Sequence, residues 1–163
     1  MKKIILIFTI FFVNLSLFAT ETKKAYFAGG CFWCMEESYD KVNGVLSSVS
    51  GYSGGHLKNP KYEDVIYKDT GHVEVIEVTY DPSIISYKDL LEVYWKNIDP
   101  FDAQGQFCDK GKSYRSVIFF ENQSQKELIN ESFKEMEKKL GKKIVTLVWK
   151  FEIFYTAENY HQD

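Results

Sequence analysis

From residue 24 onward, apolar and polar positions along the chain predict alternating short strands and helices. Residues 24–28 (KAYFA) form a short apolar run followed by Gly29 and Gly30, the pattern of a strand entering a tight turn. Over residues 31–41, Phe32, Met35 and Tyr39 recur at helical spacing, with Glu36 and Glu37 in the early turns. Residues 45–52 are rich in β-formers, and Gly51, Gly54 and Gly55 mark their end. Asn59 and Pro60 open a turn before a short helix over 61–67. Residues 73–80 (VEVIEVTY) alternate as a half-buried strand does, and Asp81 and Pro82 end it. Ser86 with Asp89 three positions on gives a capping box for a helix to residue 97, whose apolar face is Leu90, Leu91, Tyr94 and Trp95. Residues 98–113 read as loop, 114–120 as strand, 123–140 as an amphipathic helix and 144–149 as strand. Strands follow one another near residues 45 and 73 while helices separate the others. That order predicts an α+β sandwich with a mixed sheet, in a single domain over residues 24–163.

The first nineteen residues belong to a different class. Lys2 and Lys3 precede an apolar run from residue 4 to 18, and Ala19 is followed by polar residues. This is the pattern of an export signal cleaved after Ala19, with an uncleaved membrane anchor as the alternative. The expected location is therefore the periplasm or cell envelope. Loss of Lys2 and Lys3 takes the net charge from -3 to -5. No basic run follows, so a nucleic-acid partner is not expected. At 163 residues and 45% hydrophobic, the chain can bury a core without cross-links.

Three cysteines in an exported chain leave an odd thiol, and two of them form GGCFWC at residues 29–34. A three-residue disulfide loop removes little unfolded-state freedom, so the spacing suits chemistry better than stapling. A strand–turn–helix reading puts Cys31 at a helix start, where free N–H groups favour the thiolate, and Cys34 one turn on, in reach of an electrophilic Cys31. A zinc half-site, a thioredoxin-like dithiol and two buried cysteines are the competing readings. Zinc lacks a second paired spacing, because only Cys108, His56, His72 and His161 remain. Glu74, in TGHVE at the start of a valine-rich strand, would be kept protonated by burial and so act as a donor, or else be an exposed strand carboxylate. A third segment, residues 108–116, gathers Cys108, Asp109, Tyr114 and Arg115 around Gly111. These residues point to a redox or nucleophilic cysteine enzyme and do not name a substrate.

The segments GGCFWCMEESYDKVNGV, SGYSGGHLKNPKYEDV, TGHVEVIEVTYDP, DPFDAQGQFCDKGKSYRSVIF and AENYHQD, in this order, resemble the type A peptide-methionine (S)-S-oxide reductases from about residue 25 to the end. The resemblance implies a two-layer sandwich with a ferredoxin-like core. It implies that Cys31 attacks the sulfoxide sulfur, that Phe32 and Trp33 wall the S-methyl pocket, and that Glu74 protonates the sulfoxide oxygen. Tyr62 and Tyr114 would bond the same oxygen, with Asp109 supporting the site. Substrates would be oxidised proteins and free methionine sulfoxide. No cofactor is implied; electrons would come from a thioredoxin-type dithiol, or dithiothreitol, to a monomeric enzyme.

Many such proteins carry Gly at the position of Cys34 and a resolving cysteine in a tail beyond the last motif. Here the sequence stops at Asp163, so Cys34 is the expected resolving thiol and Cys108 its rival, unless Cys108 is a small buried hydrophobe. The short end also predicts a looser C-terminal wall to the pocket. No chemical role is implied for Glu158 and His161 in this last motif. Two other functions remain: a general envelope thiol–disulfide oxidoreductase, and a non-catalytic module that binds oxidised methionine or a metal.

Overall fold

The first strand, β1 (Lys23–Ala28), pairs on both sides, and the fold is laid out around it. The computed structural model describes residues 21–162, so the leader read at 1–19 lies outside the described residues. After β1 come α1 (Phe32–Asp40), β2 (Val45–Ser53), α2 (Tyr62–Tyr67), β3 (Val73–Tyr80) and α3 (Tyr87–Lys96). The chain continues through β4 (Gly105–Gln106), β5 (Asp109–Lys110), a 3-10 turn (Lys112–Tyr114), β6 (Val117–Phe120) and α4 (Gln123–Leu140). It closes with β7 (Leu147–Lys150), β8 (Phe154–Thr156) and a second 3-10 turn (Asn159–His161).

The main sheet has the order β7-β6-β1-β3-β2-β8, antiparallel throughout except for the parallel pair β6 and β7. Its inner four strands with α1 and α3 form the β-α-β-β-α-β pattern of a ferredoxin-like core. The helix α4 then returns the chain to add β7 at one edge, and β8 adds the other. This is the α+β sandwich with a mixed sheet. Among the described residues, no helix is long and apolar enough to cross a membrane.

Alternation along the strands decides what each face meets. Ala25 and Phe27 of β1, Ile76 and Val78 of β3, and Ile118 of β6 join the larger core with Met35, Tyr39, Leu90, Leu91, Tyr94 and Ile129 of the helices. On the opposite face Tyr26, Val73, Val75, Val117 and Phe119 are covered by Trp149, Phe151 and Phe154. The Tyr26 and Phe151 rings stack at 3.8 Å. β3 is therefore buried on both faces, which corrects the half-buried reading: a central strand covered by helices on one side and C-terminal aromatics on the other has no wet face. Two further strand bounds differ. Residues 114–116 do not join β6, because the 3-10 turn returns the Tyr114 N–H to the Gly111 carbonyl at 3.1 Å. Residues 144–145 do not join β7, because their N–H groups go to the Glu137 carboxylate and the Pro100 carbonyl.

Two buried phenols tie α3 to the end of β1 and to α1. The Tyr94 hydroxyl donates to the Ala28 carbonyl at 2.8 Å, and the Tyr39 hydroxyl donates to the Leu90 carbonyl at 2.9 Å. The end of β1 is thereby held between the sheet ladder and α3.

Candidate active site

Cys31 is the N-cap residue of α1, delivered by the turn at Gly29 and Gly30. Gly30 has φ +86°, and a Cβ there would lie 2.6 Å from the Gln106 Cβ; one on Gly29 would lie 2.5 Å from the Met35 Sδ. The turn can therefore be closely covered by α1 on one side and the β4–β5 hairpin on the other. The half-buried Cys31 sulfur receives the backbone N–H groups of Cys34 and Trp33, as a helix N-terminus provides. Burial nevertheless dominates. It pushes the Cys31 thiol up to about 11, those N–H groups pull it down, and the nearby Glu74 and Cys34 add to the rise. The expected net preference for thiolate at a helix start is thus overturned in the resting site, because desolvation outweighs the helix end.

Glu74 is the second residue of β3, on the face toward α1, and is 2% exposed. Its Oε2 accepts the Phe32 N–H at 3.0 Å. Burial pushes its carboxyl up to about 7; the Phe32 N–H opposes the shift and the charge of Asp109 adds to it. A carboxyl in this condition holds a proton into the neutral range.

Tyr62 opens α2 and Tyr114 ends the first 3-10 turn. Both phenols are pushed up by burial and by the charge of Glu74, and their hydroxyls interact with each other. Cys31 raises Tyr62 as well, and Asp109 raises Tyr114. The fold thus brings Cys31, Glu74, Tyr62, Tyr114 and Asp109 into one electrostatic neighbourhood from five separate elements.

Aromatic rings border this cluster. Phe32 is buried, whereas Trp33 is 47% exposed and presents its ring to solvent. The buried His161 ring sits among them, with centroids 5.1 Å from Phe32, 5.4 Å from Trp33 and 4.4 Å from Tyr62. The Trp33 indole N–H donates to the His161 carbonyl at 2.9 Å. Burial holds the His161 imidazole below its ordinary value despite the opposing charge of Glu158. Glu158 accepts the Tyr62 N–H at 3.0 Å and the Tyr52 hydroxyl at 2.9 Å. The terminal motif is therefore part of the site wall, which residue type and spacing alone did not reveal. Its signal in the sequence is the AENYHQD segment at the C-terminal end.

All three cysteines are free thiols. Cys34 is exposed on the first turn of α1 and contributes to the Cys31 shift by charge. Cys108 is also exposed, at the tip of the β4–β5 hairpin beside Phe107, so the reading of it as a buried hydrophobe is corrected. Among the described residues, no three His, Cys, Asp or Glu side chains gather in a way that could hold a metal ion. A cavity of about 750 Å³ lies elsewhere, between α3 and α4, and shares no residue with the cluster around Cys31.

A family model described as peptide methionine sulfoxide reductase matches residues 23–163. The chain belongs to this family. It is 50% identical over 143 residues to the peptide methionine sulfoxide reductase MsrA of Listeria monocytogenes serotype 4a, covering 86% of this chain and 81% of the relative. The reduced form of Mxr1 from Saccharomyces cerevisiae superposes with a TM-score of 0.81 at 33% identity, covering 86% of this chain and 82% of that one. The same yeast protein in complex with Trx2 superposes with a TM-score of 0.63 at 25% identity, over 91% of this chain and 89% of that chain. The protein is a peptide methionine sulfoxide reductase, and the cluster around Cys31 is its candidate catalytic centre.

Proposed function

We propose that the enzyme reduces methionine-(S)-sulfoxide, free or within proteins, by transferring the sulfoxide oxygen to Cys31. The observation that carries this reading is Glu74: a buried acid pushed up to about 7, bonded to the N–H next to Cys31 and coupled to both phenols. A sulfoxide sulfur is a poor electrophile until its oxygen is protonated or strongly hydrogen-bonded. Glu74, Tyr62 and Tyr114 supply donors for that oxygen, each contributing about 3 kcal/mol by analogy with oxyanion-hole donors. Asp109 supports them.

A thiol beside a carboxylate and a thiolate beside a carboxylic acid carry the same net charge. One proton shared by Cys31 and Glu74 therefore serves both nucleophile and donor as the substrate oxygen arrives. As Glu74 gives its proton to the oxygen, the Cys31 sulfur attacks the sulfoxide sulfur. The oxygen then passes to the Cys31 sulfur as the substrate S–O bond and the transient S–S bond break, leaving the sulfenic acid and methionine as the thioether. The Cys34 thiol then displaces water to give the Cys31–Cys34 disulfide, with Cys108 as the alternative resolver. A thioredoxin-type dithiol exchanges with this disulfide and restores both thiols, so no resident cofactor is needed. Phe32 and Trp33 form the apolar grip for the S-methyl group.

We infer from the export-type pattern at residues 1–19 that the enzyme works outside the cytosol as a monomer serving oxidised envelope proteins, with a periplasmic or membrane-linked donor. A general thiol–disulfide oxidoreductase has no oxygen to protonate and would leave Glu74, Tyr62 and Tyr114 without a task. Glu74→Gln separates the two readings. Sulfoxide reduction should be lost while all three thiols stay titratable, and retained turnover would remove the acid from the mechanism.

A further inference from the structure

We infer that Glu158 is a positioning residue that sets the Tyr62 hydroxyl in the catalytic centre, resting on the reading of Tyr62 as a donor to the sulfoxide oxygen. The helix that carries Tyr62 is weakly held by its own packing. α2 has six residues, and Val65 is the one it buries. A helix of this length has little intrinsic stability, so external ties fix how it is turned. One tie is made at the residue that matters: the Tyr62 N–H donates to Glu158 Oε1 at 3.0 Å.

The other carboxylate oxygen reaches the sheet. Glu158 Oε2 accepts the hydroxyl of Tyr52, a fully buried residue of β2, at 2.9 Å. Glu158 is itself fixed by its neighbours. The Ala157 N–H donates to the Ser50 carbonyl at 2.9 Å, and the Gln162 side chain both accepts the Ser50 N–H at 3.1 Å and donates to the Ser50 carbonyl at 3.0 Å. Rigid strand, carboxylate and the backbone of Tyr62 thus form one continuous linkage. Burial works against the charged carboxyl, yet the donors from Tyr62 and Tyr52 and the nearby His161 outweigh it and hold Glu158 below its ordinary value. It therefore remains an acceptor with both oxygens committed.

Gln at 158 can accept the Tyr62 N–H with its amide oxygen and donate its NH2 to the Tyr52 oxygen, so it keeps the linkage without the charge; Ala keeps neither contact. Rotation of α2 about its axis would carry the Tyr62 phenol away from Glu74 and Cys31. Misplacement of this kind costs up to about 10²-fold in rate.

The test is a double-mutant cycle on the single-turnover rate of methionine formation from methionine-(S)-sulfoxide, with Glu158→Gln, Glu158→Ala and Tyr62→Phe. Glu158→Ala should slow the step by at least about tenfold and Glu158→Gln by less. In the Tyr62→Phe background, either change should cost less than about twofold more, because the group being positioned is already gone. Tyr52→Phe removes only the anchor on the sheet; it should slow the step in the same sense and lose its effect in the Tyr62→Phe background. It keeps the test open if Glu158→Ala unfolds. A structural role would instead give losses that multiply with Tyr62→Phe, and that result overturns the inference. So does a Tyr62→Phe enzyme as fast as wild type. Failure of the oxygen-transfer reading looks different: Cys31→Ser would then still release methionine.

Discussion

The Phe32 backbone N–H donates to the Glu74 carboxylate at 3.0 Å, so the acid of the site is held by the residue that directly follows the thiol. The N-terminus of α1 therefore fixes the Cys31 thiol and the Glu74 carboxyl together. The same burial that suits Glu74 to donate a proton makes its ionised form costly to the fold.

That cost has a sign and a window. The Glu74 carboxyl titrates near 7 in the folded protein and near 4.3 in the unfolded chain, so between these values unfolding releases a proton and stability falls as pH rises. Above about pH 7 the loss amounts to about 3 kcal/mol. Glu74→Gln keeps an acceptor for the Phe32 N–H and does not ionise. Relative to its difference from wild type near pH 4, this variant should gain stability at pH 8 by that amount. Urea unfolding at both pH values checks it; a stability difference independent of pH would contradict a raised carboxyl.

The turn that presents Cys31 leaves no room for a side chain. Gly30 has φ +86°, and its Cβ would fall 2.6 Å from the Gln106 Cβ. Gly30→Ala should cost about 1–3 kcal/mol and slow methionine formation, because relief of the clash must move the β4–β5 hairpin or Cys31 itself. Melting temperature and single-turnover rate report the two effects separately. An Ala variant with wild-type values of both would contradict the close approach.

The two remaining thiols make different predictions. Cys34 follows Cys31 by one helical turn, a spacing a disulfide can bridge, and it is exposed to an incoming dithiol. Cys34→Ser should still release one methionine but accumulate sulfenic acid, detected by dimedone labelling, and recycle poorly with a thioredoxin-type donor. Cys108→Ser should recycle like wild type. The reverse pattern would make Cys108 the resolver.

What the sequence carried well was local. The capping box at Ser86 and Asp89 is formed as its spacing predicts, with the Ser86 Oγ accepting the Asp89 N–H at 3.2 Å. Phe32, Met35 and Tyr39 do form the buried face of α1. Long-range contacts were harder to read. The edge strand β8 is three residues long, too short for alternation to register, and exists because β2 offers it an open edge. Burial of β3 on both faces depends on Phe151 and Phe154, more than seventy residues away in sequence. The same distance hid the part played by Glu158 in the site wall. The raised Cys31 thiol was missed for a related reason, since the helix start is visible in sequence and the desolvation around it is not.

The central claim is that the Cys31 sulfur takes up the sulfoxide oxygen. Methionine released from the S epimer by reduced enzyme, without added reductant, tests it most directly. Wild type and Cys34→Ser should each release one methionine per molecule, and Cys31→Ser none. Release of methionine by Cys31→Ser at the wild-type rate would contradict the account.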